Sequence, residues 1–295
     1  MAARALDWEA REIRLGRGVI RYREVGDGPV LLFVHGVLAN GTLWREVVPR
    51  LSGNFRCVVP DLPLGGHAVA MGRDADMTPR GVARMVADLM GALDLRDVTL
   101  VGNDTGGAIC QLVIAEHPER IGSLVLTNCD AYEAFFPLLL SPFQYAARIF
   151  GSRFVDLIAL VLRTRVAQRA LLKSVALRRM DEATLDGYVS SLIRDAGVRR
   201  DLARFLGGVS NRYTLEAARH FPDFRRPVLI VWGEDDIFFS LRLAGRLQRD
   251  FPDARLELVD RSRAFVPEDR PERLAELISG FLGERAKAGT RDGVA

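Results

Sequence analysis

The sequence contains little histidine and little cysteine, and it has no large excess of charge of either sign. Its 295 residues include four histidines and three cysteines, and 41 basic side chains are set against 38 acidic ones. A formal net charge of +3 is too small to indicate binding to nucleic acid or to a membrane surface. We therefore expect neither of these partners.

Long apolar runs are also absent from the sequence. No window reaches the roughly 20 apolar residues of a membrane span, and residues 1–16 lack the apolar stretch of a signal peptide. The three cysteines are far apart, and each lies in or beside an apolar run, which is typical of reduced core thiols rather than of a disulfide framework or a metal site. They are Cys57, Cys110 and Cys129. These features predict a cytoplasmic protein without a bound metal.

Short runs rich in Val, Ile and Leu recur along the chain. The eight runs span residues 12–16, 19–26, 29–36, 56–61, 97–102, 122–128, 227–233 and 255–260. From residue 29 onward they are almost continuously apolar, as expected of strands that are buried on both faces. Helical patterns lie between them, and the one over residues 78–95 begins with Thr78, which can cap a helix. Strands that alternate with helices predict an α/β fold with a mostly parallel sheet.

One long stretch interrupts this alternation. Residues 131–220 have helical periodicity, are rich in Arg, Leu and Phe, and show no strand signal. Because the strand pattern resumes at Pro227, we interpret them as a helical cap inserted into a core domain of residues 1–130 and 221–295; the alternative is that these helices simply flank the sheet. Four cap residues are candidates for an apolar pocket wall, although helical aromatic residues often belong to the core. They are Phe135, Phe136, Phe143 and Phe150.

A glycine-rich turn lies between the fifth predicted strand and the helix that follows it. Its sequence from Gly102 is GNDTGG, with Asp104 at the centre and Gly106 two residues later. A turn this sharp leaves no room for side chains at the flanking positions and pushes the central residue outward, toward the free amides at the helix N-terminus. The spacing G-x-G-x-x-G of dinucleotide-binding loops is absent. Asp104 is therefore the candidate nucleophile.

Five motifs in this order resemble the α/β-hydrolase family over nearly the whole chain. They are VHGVLANGTLW from Val34, DLPLGGHA from Asp61, GNDTGGA from Gly102, WGEDDIFF from Trp232 and FVPEDRPERLAELISGFL from Phe265. The resemblance implies the α/β-hydrolase fold, which is a mostly parallel eight-stranded sheet flanked by helices, with a helical cap between the sixth and seventh core strands. It also implies that His35 and Gly36 belong to an oxyanion loop and that Asp236 is the acid at a strand end.

An aspartate rather than a serine at the turn resembles the branch that contains haloalkane dehalogenases and epoxide hydrolases. A carboxylate is ionised at neutral pH and can attack an electrophilic carbon directly, which gives an alkyl ester on the enzyme. The resemblance implies that the amides of Val37 and Thr105 form an oxyanion hole, which acts when water attacks this ester. It implies a small-molecule substrate of apolar character and no cofactor.

The sequence departs from this branch at the histidine that activates water. By resemblance that base would directly precede Phe265, and Ala264 stands there; no histidine follows residue 220. Without an imidazole, an ester on Asp104 would hydrolyse slowly, because loss of a catalytic base commonly costs about a hundredfold in rate or much more. The dehalogenases also place a tryptophan after the nucleophile to hold the halide, and here that residue is Thr105.

Three groups are candidates to compensate for the missing histidine. His67 is the best placed of the four histidines, because it lies in a loop that leaves the C-terminal end of a strand, where ligand sites of open sheets form. Alternatively, Asp104 and Asp236 could raise each other's pKa and share a proton for acid–base chemistry, such as epoxide opening or cyclisation. Arg263, next to Ala264, could instead pair with an aspartate.

These residues leave two main functions open. The first is a cofactor-independent enzyme that acts on a small apolar substrate, with Asp104 as nucleophile or acid–base group. The second is a protein of the same fold that binds a ligand without turning it over. A third reading is that Ala264 is an engineered replacement that traps an intermediate. A hydrophobic cap face is compatible with a homodimer, although no motif requires one.

Overall fold

Eight strands form a single sheet in the computed structural model of the protein. The structure describes residues 8–292, with side chains for all of them except Leu138 and residues 285–292. Residues 1–7, which belong to the segment predicted to lack a signal peptide, lie outside this range. The strands are β1 (Ala10–Leu15), β2 (Gly18–Val25), β3 (Val30–Val34), β4 (Arg56–Pro60), β5 (Val98–Asp104), β6 (Ile121–Cys129), β7 (Val228–Gly233) and β8 (Ala254–Val259). Each coincides with one of the predicted apolar runs, so the predicted α/β fold is confirmed.

The order of the strands places one position of the sheet at a topological switch point. The order is β1-β2-β4-β3-β5-β6-β7-β8. β2 pairs antiparallel with both β1 and β4, and all other neighbouring strands are parallel. Strand β3 lies between β4 and β5, so the connection from β3 leads to β4 on one side and the connection from β5 leads to β6 on the other. Ligands of open α/β sheets bind at such a switch point, at the C-terminal ends of the strands. Val34 is in register with Gly102, so the predicted oxyanion loop starts beside the turn of Asp104.

The helices lie between the strands and at the end of the chain. Those of the described residues are α1 (Val48–Leu51), α2 (Pro79–Ala92), α3 (Thr105–Glu116), α4 (Ser141–Phe150), α5 (Ser152–Val161), α6 (Arg165–Val175), α7 (Glu182–Arg194), α8 (Ala196–Gly208), α9 (Asn211–Ala218), α10 (Leu241–Asp250), α11 (Val266–Asp269) and α12 (Pro271–Asp292). Thr78 caps α2 as predicted, and its hydroxyl accepts a hydrogen bond from the amide of Gly81 at 3.1 Å.

Six helices, α4 to α9, fill the chain between β6 and β7. Helix α8 packs against α4 and α5, and α9 packs against α3. A buried polar cluster also connects this segment to the rest of the fold: Tyr188 of α7 donates a hydrogen bond to Glu268, which forms an ion pair with Arg45. We retain the division into a core of residues 1–130 and 221–295 and a cap of residues 131–220 as a proposal.

The central strands are buried on both faces, in agreement with their apolar sequences. All residues of β6 and β7 are buried, as are all but the last residue of β5. Cys57, Cys110 and Cys129 are free thiols in this core. None of the helices in the described range is long and apolar enough to cross a membrane.

Candidate active site

A sharp turn joins β5 to α3 and presents the side chain of Asp104. The backbone of Asp104 has φ 56° and ψ −133°, a left-handed conformation that strains a residue with a side chain. The turn also packs tightly against the end of β3, since a Cβ atom on Gly106 would lie 2.1 Å from the carbonyl oxygen of Val34. A Cβ atom on Gly36 would lie 2.4 Å from Oδ1 of Asp104. The predicted glycines therefore allow the carboxyl group to sit directly against the predicted oxyanion loop.

Main-chain amides hold one oxygen of the Asp104 carboxyl group. The amide of Thr105 donates a hydrogen bond to Oδ1. Burial raises the pKa of Asp104 to about 6; the bonds from Thr105 and the amide of Val37 oppose this rise, and the charge of Asp236 adds to it. A carboxyl group with this pKa is mostly ionised at neutral pH and takes up a proton as the pH falls through about 6.

Asp104 lies in the wall of an apolar cavity of about 480 Å³. The apolar lining includes Val37, Leu38, Phe136, Phe143, Phe238 and Phe265. Of the described residues in the wall, only Asp104 and Ser174 are polar, and the hydroxyl of Ser174 donates to the carbonyl of Leu171 in its own helix. Two of the four predicted aromatic wall residues, Phe136 and Phe143, therefore line the cavity; Phe135 is buried in the core, and Phe150 is exposed.

The sequence analysis missed a carboxylate that lies behind the turn. Asp130 directly follows β6, is buried, and accepts a hydrogen bond at Oδ2 from the hydroxyl of Thr105 at 3.0 Å. Its Oδ1 atom has no hydrogen-bond partner among the described residues. Burial, and then the charge of Asp104, raise the pKa of Asp130 well above its ordinary value. In the sequence, one feature of Asp130 could have identified it: it directly follows a buried strand, and so lies at the same end of the sheet as Asp104.

Asp236 follows β7 and contributes the third carboxyl group at this edge. It accepts hydrogen bonds from the side-chain amide of Asn128 at 2.7 Å and from the amide of Phe238 at 2.9 Å. Burial raises the pKa of Asp236, and these hydrogen bonds oppose the rise. The structure thus brings Asp236 and Asp104 close enough for their charges to interact, with Asp130 nearby.

Both ring nitrogens of His35 form hydrogen bonds to main-chain groups at the predicted oxyanion loop. The amide of Leu62 donates to Nε2 at 2.8 Å, so Nδ1 carries the proton and donates to the carbonyl of Gly36 at 2.9 Å. Burial lowers the pKa of His35 to about 4, and the ring is neutral at physiological pH. His35 therefore holds the loop in place and has no nitrogen available as a base.

His67, the predicted substitute for the missing base, lies outside the lining of the cavity. The amide of Gly65 donates to its Nδ1 atom at 3.4 Å, and its Nε2 atom lies 3.4 Å from Oδ2 of Asp201 in α8. That carboxylate also accepts a bond from the amide of Met71 at 2.7 Å. The structure does not bring His67 into the cavity with Asp104, and the other three histidines are likewise absent from the described lining.

The loop that carries Ala264 is fixed against the Asp104 turn. Ala264 is fully buried, and its carbonyl accepts a hydrogen bond from the side-chain amide of Asn103 at 2.7 Å. Phe265 lines the cavity, and its amide donates to the carbonyl of Val175 at 2.8 Å. The guanidinium of Arg263 donates to the carbonyl of Lys173 at 2.6 Å. Arg263 forms no ion pair with a carboxylate of the described residues, so the structure does not show the predicted pairing of Arg263 with an aspartate.

Comparison with known proteins agrees with the architecture of this site. A family model described as alpha/beta hydrolase fold matches residues 29–271. The chain therefore belongs to the alpha/beta hydrolase fold family, as its five motifs indicate.

The individual relatives include haloalkane dehalogenases and an epoxide hydrolase. Haloalkane dehalogenase 2 of Mycobacterium tuberculosis is 28% identical over 292 residues, which cover 94% of this chain and 96% of that protein. Epoxide hydrolase 3 of Xenopus tropicalis is 25% identical over 299 residues, which cover 92% of this chain and 77% of that protein. The crystal structure of haloalkane dehalogenase DbeA from Bradyrhizobium elkani USDA94 superposes with a TM-score of 0.80 at 19% identity, covering 95% of this chain and 100% of that one. The protein is a hydrolase-fold enzyme related to haloalkane dehalogenases and epoxide hydrolases.

Proposed function

We propose that Asp104 is a nucleophile that attacks an apolar electrophile, such as an alkyl halide or an epoxide, and forms an alkyl ester. One observation carries the proposal: Asp104 is the only ionisable side chain among the described residues that line the cavity. Ser174, the other polar residue there, donates its hydroxyl hydrogen to its own helix. An apolar substrate that fills this cavity therefore meets a single reactive group.

The hydrogen bonds of Asp104 support this role. The amide of Thr105 orients the carboxylate through a hydrogen bond to Oδ1. A bond then forms between a carboxylate oxygen of Asp104 and the electrophilic carbon while the bond from that carbon to the halogen or to the epoxide oxygen breaks. A halide ion departs with the electron pair, whereas an epoxide oxygen keeps the pair as an alkoxide, stays attached to the alkyl ester and takes up a proton. The amides of Thr105 and Val37 would later stabilise the oxyanion that forms when water attacks the ester.

We expect the second half of this cycle to be slow. Water that attacks the ester needs a base, and no imidazole is found among the described residues of the lining. Asp130 and Asp236 lie near Asp104, and both have raised pKa values. At neutral pH such groups donate a proton more readily than ordinary carboxyl groups do, which is the opposite of what the attack of water requires. An alkyl ester on Asp104 should therefore accumulate before it hydrolyses.

A second candidate function is acid–base catalysis without a covalent intermediate. It is favoured by the pKa of about 6 at Asp104 and by the influence of Asp236 on it. A carboxyl group that exchanges its proton near neutral pH can open an epoxide or assist a cyclisation without attack by water. In this case the product depends on Asp104, but the mass of the protein does not change.

The test is the intact mass of the protein after incubation with a panel of alkyl halides, epoxides and aryl esters. Asp104→Ala is the critical variant, and Asp88→Ala on the exposed face of α2 is the matched control. An added alkyl mass in the wild type and in Asp88→Ala, absent from Asp104→Ala, supports the nucleophile. Product formation that needs Asp104 without an adduct supports acid–base catalysis. Neither adduct nor product across the panel contradicts both candidates and favours ligand binding without turnover.

A further inference from the structure

A large apolar surface lies on the first helices between β6 and β7. Of the thirteen exposed large hydrophobic side chains in the described part of the chain, ten fall within residues 139–177. The buried residues of α4 and α5 are Ala147, Val155 and Ala159. By contrast, Ile149 and Phe150 are 72% and 62% exposed. These helices turn small residues inward and large apolar residues outward, which is the reverse of an ordinary surface helix.

The cavity that contains Asp104 opens on this surface. Phe143 of α4 and two residues of α5, Leu157 and Val161, line the cavity. The same three side chains are 45%, 56% and 52% exposed. Side chains that line a cavity and also face outward mark its mouth, so the apolar surface is continuous with the entrance to the site.

The same part of the chain carries a marked excess of positive charge. Residues 141–180 contain eight basic side chains and one acidic side chain, whereas the rest of the sequence contains 33 basic and 37 acidic ones. The single acidic residue, Asp156, accepts a hydrogen bond from Arg199 at 2.6 Å. Arg165 and Arg169 form ion pairs within the protein. Six exposed basic side chains form none with the described residues: Arg148, Arg153, Arg163, Lys173, Arg178 and Arg179.

We propose that this surface, residues 139–180, docks on an anionic lipid bilayer. Apolar side chains can enter the boundary between headgroups and acyl chains, while unpaired arginines attract the anionic headgroups. A second copy of the chain fits less well, because a two-fold dimer would place the same basic surface against itself. The expectation of no membrane partner rested on the net charge of +3, which conceals the separation of charge along the chain.

Docking in this orientation directs the mouth of the cavity toward the bilayer. An apolar electrophile dissolved in the membrane would then reach Asp104 without crossing water. This consequence rests on the proposed function, whereas docking itself does not, and the two are tested separately because docking is measured without a substrate.

The test is flotation of the full chain with lipid vesicles of two compositions. One contains phosphatidylcholine alone, and the other contains phosphatidylcholine with about 30% phosphatidylglycerol. We expect binding to the anionic vesicles to be at least about tenfold tighter at ~0.1 M salt, and to weaken at ~0.5 M salt because the Debye length shortens. Equal binding to both vesicles, or no binding to either, overturns the proposal.

Surface variants locate the docking face. Ile149→Ser and Arg153→Glu should each weaken binding to the anionic vesicles at least about fivefold. Leu241→Ser and Arg84→Glu change exposed residues of the same types elsewhere on the protein and should have little effect. Equal losses in the controls overturn the proposal. A dimer in analytical ultracentrifugation that Ile149→Ser dissociates also overturns it, because a second copy then occupies the surface.

Discussion

The side-chain amide of Asn103 donates a hydrogen bond to the main-chain carbonyl of Ala264 at 2.7 Å. Asn103 directly precedes the proposed nucleophile, and Ala264 stands where the resemblance to the family places the catalytic histidine. The same amide also donates to the hydroxyl of Thr127 at 2.8 Å, inside the buried core. The backbone at position 264 is therefore held beside the turn of Asp104.

This arrangement predicts that Ala264→His converts a stalled reaction into a repeating one. The imidazole would start from a fixed backbone near the ester and would activate water, which is worth about a hundredfold or more in rate. The measurement is the amount of product per mole of protein for the substrate that labels Asp104. We expect more than one turnover in the variant and at most about one in the wild type over the same time.

Ala264→Asn is the matched control, because it adds a planar, hydrogen-bonding side chain at the same buried position without a base. Both variants fill space around Ala264, so each should cost about 1 to 3 kcal/mol of stability. Turnover by Ala264→Asn equal to that of Ala264→His would show that space rather than basicity matters. No turnover in a folded Ala264→His would contradict the account of the missing base.

The rate of ester formation should depend on pH through the ionisation of Asp104. Only the carboxylate attacks, and burial raises its pKa to about 6. The rate should therefore rise about tenfold for each pH unit below 6 and level off above about pH 7. Asp236→Asn removes a negative charge that raises this pKa, so the midpoint should move to lower pH. Quenched-flow kinetics with mass detection of the ester measures the pH profiles of the wild type and of Asp236→Asn. A rate that does not change between pH 5 and 8 would exclude Asp104 as the titrating group.

Gly36→Ala should impair the reaction by displacing the carboxylate. A Cβ atom at this position would lie 2.4 Å from Oδ1 of Asp104. Because misplacement of a reacting group by about 1 Å can cost about a hundredfold, we expect ester formation to slow by at least about tenfold. Gly53→Ala is the control, since a Cβ atom there meets nothing within 4 Å. Equal rates in the two variants would show that the carboxylate is not confined by the oxyanion loop.

The buried ion pair between Arg45 and Glu268 should make a large contribution to stability. Arg45 donates to both oxygens of Glu268, the second bond at 2.8 Å, and Tyr188 donates to the same carboxylate. Glu268→Gln leaves the buried guanidinium without its counter-charge and should lower the free energy of unfolding by about 3 kcal/mol in a urea titration. Glu276→Gln breaks an exposed pair with Arg273 and should cost less than about 1 kcal/mol. Equal effects would contradict this ranking.

The sequence predicted the sheet and the turn of Asp104 because both depend on local patterns. Buried parallel strands require continuous apolar runs, and the turn requires glycine where Val34 and Asp104 approach the chain. The partners of His67 and Asp130 depend on distant contacts instead. Asp201, whose carboxylate lies 3.4 Å from the ring of His67, is 134 residues further along the chain. The environment of Asp130 likewise becomes visible only when Thr105 is placed beside it.

The most direct test of the central claim is to locate the alkyl group on the protein after incubation with a reactive substrate. Trypsin releases Asp104 in the peptide of residues 97–120, whereas Asp130 and Asp236 fall on other peptides. We predict that tandem mass spectrometry finds the added mass on peptide 97–120 and assigns it to Asp104 rather than to Asp97. An alkyl group on any other carboxylate, or product formation with no labelled peptide, would contradict the role of Asp104 as the nucleophile.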